Sequence, residues 1–335
     1  MIKQLFKVGI TTGDINGVGL QLIIRYTDDV LKSNKEIVPI VFSSKSVWNF
    51  YLSFLKINNL QNNLISKISD AKEGVINILD CTQSDLVVQP GLITKDAGIA
   101  AGESLSHGTK HLVKKKIDAL VTMPVNKSNI FFKNNEYFVG HTEYLRDKTK
   151  SEETLMLLIN NNLKIATLTN HIPISQVSSV ISKRLLISKL EILINSLKKD
   201  FLIQDPRVAV LGLNPHNGDS GLVGREEIEI ITPVVKYFCD IGLDLNGPFS
   251  ADAFFGNKNY SKYDAVLSMY HDQGLIPYKM TSFNKGVNFT AGMDYIRTSP
   301  DHGPAYDIVG TNKINSKSFI NSMLLAKKIY KSRLV

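Results

Sequence analysis

Three runs of strand-forming residues each end at a histidine. Ile165 to Asn170 runs into His171, Val208 to Pro215 into His216, and Ala265 to Tyr270 into His271. Further runs at Phe6–Ile10, Ile37–Phe42 and Ile117–Thr122 have the same strand character. Between them lie helix-like segments: one from about Leu20, one near Val47–Leu55, one over Ile99–Lys115, and an amphipathic one over Leu185–Lys198. Short apolar runs that alternate with helical patterns predict an α/β chain with largely parallel sheets. In such sheets ligands bind beyond the carboxyl ends of the strands. Three imidazoles delivered there are able to converge on one divalent ion and leave a position open for water or substrate, the pattern of a catalytic site. The plainer alternative is that each histidine is a loop residue or a helix cap.

A length of 335 residues suits two domains at about 150 residues each. The expected division is residues 1–137 with 300–335 against 138–299. The formal charge of +8 points to anionic partners. The densest basic clusters, Lys114–Lys116 and the tail from Lys327 to Arg333, fall in helix-like segments without the interleaved aromatic residues of a single-strand platform. Small anionic ligands are therefore expected, and no nucleic acid. Cys81 and Cys239 show no metal or redox spacing, which fits a reducing compartment. The first residues lack a long apolar stretch, and nowhere does one approach the roughly 18 residues of a membrane span. A cytoplasmic protein with no membrane partner is expected.

Two further constellations carry chemistry. Thr11-Thr-Gly13-Asp14-Ile-Asn-Gly17-Val-Gly19 joins a strand to a helix. Its amides could hold an anion at the helix N-terminus, or it could be only a tight turn; it matches neither a dinucleotide fingerprint nor a P-loop. Near the third histidine, Asp272 beside His271 could orient a ligand or act as a base. Lys279, Asn288 and Arg297 follow at intervals of nine residues. They could converge on a phosphate or carboxylate, or lie singly on the surface.

Four motifs then occur in one order: Gly140-His141-Thr142-Glu143, Asn214-Pro215-His216, Tyr270-His271-Asp272-Gln273-Gly274, and Arg297-Thr298-Ser299-Pro300-Asp301-His302-Gly303. With the Thr12-Gly13-Asp14 loop they make the chain resemble the PdxA family of 4-hydroxythreonine-4-phosphate dehydrogenases, enzymes of vitamin B6 biosynthesis. The resemblance runs from that loop to Gly310.

It implies a two-domain architecture like isocitrate and isopropylmalate dehydrogenases, with a cleft between the domains and a homodimer whose active site lies at the interface. It implies one divalent metal ion per subunit (zinc, magnesium or cobalt) on His171, His216 and His271. Substrate contacts would fall on His141, Thr142, Lys279, Asn288 and Arg297, with Asp272, Asp252 or Lys279 in acid–base roles. NAD or NADP would bind a loop containing His302, Gly303, Ala305 and Asp307. The implied reaction is oxidation of 4-phosphooxy-L-threonine at C3, then decarboxylation to 3-amino-2-oxopropyl phosphate. A dehydrogenase of phosphorylated four-carbon sugar acids, a metal-dependent phosphate-ester hydrolase and a non-catalytic or acyltransferase-like protein are the competing readings. Two positions depart from the family pattern: Ile15 stands where proline is common, and Pro304 where threonine is usual.

Overall fold

The computed structural model describes residues 5–132, 138–160, 163–282 and 284–335. The chain divides into two compact units, residues 1–150 with 294–331 and residues 151–293 with 332–335.

Elements are numbered in chain order. Unit 1 contains β1 (Phe6–Thr11), α1 (Gly19–Ser33), β2 (Ile37–Ser43), α2 (Lys45–Phe54), β3 (Asn62–Ile65) and β4 (Ile76–Asp80). It continues with α3 (Lys95–Val113), β5 (Ala119–Val121), α4 (His141–Thr149), β12 (Ile296–Pro300) and α10 (Lys317–Ser332). Its strands run in the order β3-β4-β2-β1-β5-β12, and every neighbouring pair is parallel. Every residue of β2 is buried. Strands covered on both faces read as continuous apolar runs, which is why β1 and β2 were legible in the sequence. Helix starts follow side-chain caps: Ser44 accepts a hydrogen bond from the Val47 amide, and Thr94 one from the Ala97 amide, each at 3.2 Å.

Helix α3 packs on β1 and β2, and its other flank depends on two glycines. A Cβ on Gly98 would lie 1.7 Å from the Asn129 carbonyl oxygen, and one on Gly102 would lie 1.8 Å from that of Phe131. The spacing of four residues places both on one helix face. The segment after β5 therefore lies directly on bare helix backbone, and the Phe131 amide donates to the Gly98 carbonyl at 3.0 Å.

Unit 2 contains β6 (Leu155–Ile159), β7 (Lys164–Thr167), α5 (Val177–Val180), α6 (Lys183–Phe201), β8 (Val208–Leu211) and α7 (Thr232–Asp240). It continues with β9 (Leu245–Phe249), α8 (Ala251–Gly256), β10 (Ala265–Ser268), α9 (His271–Ser282) and β11 (Val287–Ala291). The strand order is β11-β6-β7-β10-β8-β9. The last four strands are mutually parallel; β6 pairs antiparallel with both β11 and β7. Only residues 160–163 separate β6 from β7. A parallel crossover needs about a dozen residues, so this connection enforces the antiparallel turn. The unit's core includes Leu158, Ile165, Ala209, Leu211, Val266 and Tyr278. The Tyr278 hydroxyl is satisfied by donating to the Ile159 carbonyl at 2.8 Å.

The division differs from the sequence-based expectation at both joins. Helix α4 and strand β12, expected within 138–299, belong to unit 1. The reason for β12 is its pairing: Ile296, Arg297 and Thr298 align with Ala119, Leu120 and Val121 of β5. Among the described residues no helix is long and apolar enough to cross a membrane.

Candidate functional site

The three histidines leave the carboxyl ends of three adjacent parallel strands, β7, β10 and β8 in that order. At a spacing of about 4.8 Å per strand, the outer two are roughly 10 Å apart, within reach of imidazoles pointing toward a centre over β10. Hydrogen bonds continue beyond the strands and tie the loops together. The Leu168 amide donates to the Ser268 carbonyl at 2.8 Å and the Thr169 amide to the Met269 carbonyl at 3.2 Å. The Thr169 hydroxyl donates to the same Met269 oxygen at 2.8 Å. Gln273 spans the other side: its amide oxygen accepts from the Met269 amide and its nitrogen donates to the Gly212 carbonyl, both at 2.7 Å.

His171 and His271 line one pocket of about 400 Å³ with Thr169, Ile174, Tyr270 and Asp272. Their ring centroids are 6.1 Å apart. His271 Nδ1 meets Asp272 Oδ1 at 2.6 Å, a contact that restrains the ring; with the proton on Nδ1, Nε2 keeps its lone pair for a ligand. His216 stands by Asp252 instead. The Asp252 carboxyl is held below its ordinary range, first by the Ser250 hydroxyl and the Ala253 amide, with His216 contributing. Among the described residues no three His, Cys, Asp or Glu side chains gather closely enough to hold a metal ion. The structure thus brings His171 and His271 together, and His216 follows the next strand, β8. By type the donors fit a borderline divalent cation, since neutral imidazole suits zinc and its neighbours.

Two of these histidines have left-handed backbone, His171 at φ 34° and His216 at φ 52°. From His216 to Ser220 every φ lies between 44° and 75°. Such a run is costly for residues with a Cβ and persists only where its surroundings hold it. Glu227 anchors the residues just before it. This residue is 2% exposed. Its carboxylate accepts from the amides of Leu213 and Asn214, both at 2.7 Å, and from Asn214 Nδ2 at 2.9 Å.

Lys279 lies two turns along α9 from His271. Asn288 sits on β11 with its Oδ1 buried and without a hydrogen-bond partner, an acceptor ready for a donor.

Unit 1 holds the other predicted substrate residues. Arg297 is 2% exposed on β12. Its Nε and one terminal nitrogen donate to the Thr122 hydroxyl at 2.9 and 2.7 Å, and that nitrogen also donates to Ser299 at 3.0 Å. Burial draws the guanidinium down to about 10, with the Glu143 charge opposing, so it stays cationic at neutral pH. Burial likewise holds His141 well below the ordinary imidazole value, helped by the charges of Arg297 and Lys127. His141 is therefore neutral; its ring meets Phe138 edge-on at 5.5 Å, and its Nε2 is buried without a partner. His141 and Thr142 are the first residues of α4, whose amides favour anions. A buried cation, a neutral imidazole and a helix N-terminus in one unit form a seat for a carboxylate or phosphate group.

In the expected cofactor loop, His302 Nδ1 lies 2.9 Å from the Gly303 carbonyl, and Ala305 is left-handed at φ 49°. The exposed Asp307 begins no helix longer than one turn. The two departures from the family pattern find explanations. Ile15 is buried in the core at 1% exposure, and its carbonyl accepts from the Tyr51 hydroxyl at 2.6 Å. Pro304 engages through its carbonyl, which accepts the Val18 amide at 2.9 Å, so its missing amide proton is not needed in that contact.

Sequence reasoning missed Glu227 and Gln273 as loop anchors, Glu143 near Arg297 and Lys127 near His141. Gln273 was visible beside His271-Asp272; Glu227 carries no local signal, because its partners lie thirteen and fourteen residues away.

An α/β chain of this kind, with two units built on largely parallel strands, has the fold of the isocitrate dehydrogenase-like structures. The isocitrate dehydrogenase of Methylococcus capsulatus superposes with a TM-score of 0.50 at 10% identity over 98% of this chain and 87% of its own, a likeness of fold alone. The chain belongs to the PdxA family: the model of the pyridoxal phosphate biosynthetic protein PdxA matches residues 35–326. A 4-hydroxythreonine-4-phosphate dehydrogenase of Bacteroides thetaiotaomicron is 37% identical over 335 residues, covering 99% of this chain and 91% of that relative. The crystal structure of 4-hydroxythreonine-4-phosphate dehydrogenase from Klebsiella pneumoniae is 30% identical, covers 98% of each chain and has a TM-score of 0.83.

The anchoring of the His216 loop is directly testable. Glu227→Gln keeps the volume but turns an NH2 group toward amide donors. The loss of charge-assisted bonds should cost on the order of 2 kcal/mol, read by urea denaturation. Amide exchange at Leu213 and Asn214 should quicken. Unchanged stability together with unchanged protection would show that the loop holds itself.

Proposed function

We propose that this chain is a 4-hydroxythreonine-4-phosphate dehydrogenase of vitamin B6 biosynthesis. It would oxidise the C3 hydroxyl of 4-phosphooxy-L-threonine with NAD(P)+ and release CO2 to give 3-amino-2-oxopropyl phosphate. The observation that carries this reading is the buried Arg297 with the neutral His141 beside it, in a chain of the PdxA family. A substrate with an anionic group at each end needs such seats, and Arg297, His141 and Thr142 supply one. Lys279 and Asn288 are the groups we assign to further polar contacts of the substrate.

In balance, C3 loses a hydride and its hydroxyl loses a proton. The bond from C2 to the carboxylate then breaks, CO2 departs, and C2 takes up a proton. NAD(P)+, when bound along His302, Gly303, Ala305 and Asp307, is the hydride acceptor. A divalent ion, when bound by His171, His216 and His271, supplies a Lewis acid that eases hydroxyl ionisation and balances negative charge. The chain's own groups do the rest. Asp272 holds the His271 ring through Nδ1. Asp252, kept acidic by Ser250, lies near His216. Lys279 is the group we assign to proton transfer. Fixing both ends of the substrate orients C3, and positioning of this kind supplies much of an enzyme's rate.

A homodimer is part of the same reading. Unit 2 exposes Leu222 at 85%, Met280 at 82% and Ile174 at 70%, large apolar residues of the kind that partner surfaces cover. Sedimentation should show a dimer at assay concentration; a fully active monomer would remove this part of the proposal.

Arg297→Ala should lose a charge-assisted contact worth roughly 1.5–3 kcal/mol. In kcat/KM for phosphohydroxythreonine that is on the order of a ten- to hundredfold drop, with the cofactor KM little changed. A loss confined to the cofactor KM would move Arg297 out of the substrate seat.

For the metal, His271→Ala and His216→Ala should each lose most bound zinc or cobalt in equilibrium dialysis, because removing one of three ligands removes most of the affinity. Retention of full metal content by both variants would sink the three-histidine site.

A further inference from the structure

Within unit 1 the expected cofactor loop is laced to the first glycine loop by bonds that no motif announces. The Val18 amide donates to the Pro304 carbonyl at 2.9 Å. Gly17 permits this approach, since a Cβ there would lie 2.8 Å from the same oxygen. Two residues on, the Tyr306 hydroxyl donates to Asp14 Oδ2 at 2.7 Å. Asp14 is 1% exposed. Its Oδ1 accepts the Asn16 amide at 2.9 Å, and its Oδ2 also accepts Asn129 Nδ2 at 3.3 Å. Asn16 is in turn pinned to the 89–92 segment: its Oδ1 accepts the Gln89 amide at 2.7 Å, and its carbonyl accepts the Gly91 amide at 2.8 Å. Gln21 holds the far side, donating to the Thr311 carbonyl at 2.8 Å and accepting from the Gly310 amide at 2.7 Å.

Between the two anchored residues, Pro304 and Tyr306, lies Ala305 at φ 49°. A residue with a Cβ holds that conformation only when its neighbours are fixed. Release of Tyr306 would let Ala305 relax to negative φ. That relaxation would rotate the Asp307 side of the loop relative to His302 and Gly303. Burial, and then the bond to Asp14, raise the Tyr306 hydroxyl pKa, so it remains a donor at working pH.

We propose that Asp14 is a positioning residue for the nicotinamide cofactor, acting through Tyr306 to hold the 302–308 loop in its binding conformation. The inference rests on the reading of that loop as the cofactor site. Neither Asp14 nor Tyr306 needs to touch the cofactor; the role is to keep a left-handed hinge closed before binding, so that ordering the loop does not draw on binding energy.

The test uses the intact protein and three variants, Tyr306→Phe, Asp14→Asn and the double change. Calorimetric titration measures NAD+ and NADP+ binding, and steady-state kinetics vary cofactor and phosphohydroxythreonine separately. Each single variant should weaken cofactor binding on the order of tenfold, the loss expected from one hydrogen bond to a charged group. The substrate KM and the metal content should stay within twofold. The double variant should be no weaker than the worse single one, because the two groups act through one bond. A general loss of structure would instead lower all parameters together. Tyr306→Phe removes a hydroxyl without altering backbone, so it decides the matter even where Asp14→Asn folds poorly. Folded variants that bind cofactor as the parent does would overturn the inference while leaving the cofactor reading intact. A parent protein that binds neither NAD+ nor NADP+ would overturn that reading, and the inference with it.

Discussion

The arrangement of unit 2 depends on the parallel pairing of β10 with both β7 and β8. That pairing brings three chain segments, separated by dozens of residues, to one edge with their carboxyl ends aligned. The hydrogen-bond ladder does not stop at the strands. Thr169 reaches the Met269 carbonyl on one side, and Gln273 bridges Met269 to Gly212 on the other. The histidine loops are thus placed by backbone groups, and the imidazoles have only their side-chain torsions left to adjust. A rigid scaffold with small residual freedom at the side chains is the arrangement that preorganised binding sites use.

Strain enters at the same edge. His171 and the run from His216 to Ser220 hold left-handed backbone, and the buried Glu227 carboxylate offsets the cost by accepting three N–H groups of the approach. A carboxylate with its oxygens occupied is stable in a buried place only because those bonds replace water. The polar network is therefore part of the backbone geometry rather than an addition to it. Removing one member leaves the others desolvated and unpaired.

Much of this was legible in the sequence, for a definite reason. Buried parallel strands are continuous apolar runs, so β1, β2, β8 and β10 announce themselves, and helices α3 and α6 show their periodicity. The strands that escaped notice lack that signature. Leu155–Ile159 has the composition of either a strand or a buried helix turn, and what makes it a strand is antiparallel pairing to β11, more than a hundred residues later. Ile296–Pro300 hides because its central residues are Arg297, Thr298 and Ser299. These are polar groups buried together, each satisfying another or a neighbouring backbone group. The same polarity that conceals the strand holds the buried Arg297 guanidinium on Thr122 and Ser299. It also made the expected return of the chain to the first unit too late, at residue 300 rather than 294, since a pentapeptide with Arg, Thr and Ser at its centre does not look like part of a core sheet.

The glycine loop illustrates how one sequence feature can serve two purposes. As a motif, Thr12-Gly13-Asp14 to Gly19 suggested either an anion cradle or a tight turn. In the structure Gly13 supplies a left-handed turn against the Pro124 carbonyl, at φ 66° and with no room for a Cβ. Gly17 supplies close approach to Pro304. Both glycines are thus occupied by the protein's own backbone, and the amide of Val18, just before α1, is spent on the Pro304 carbonyl. Substituting Pro304 for a residue with an amide proton changes little there, because the contact uses only the carbonyl. What the loop does present to a ligand is then set by Ala305, whose conformation is sustained from both sides by residues of the glycine loop. Local turn chemistry near the first strand in this way determines the shape of a surface almost three hundred residues further along the chain.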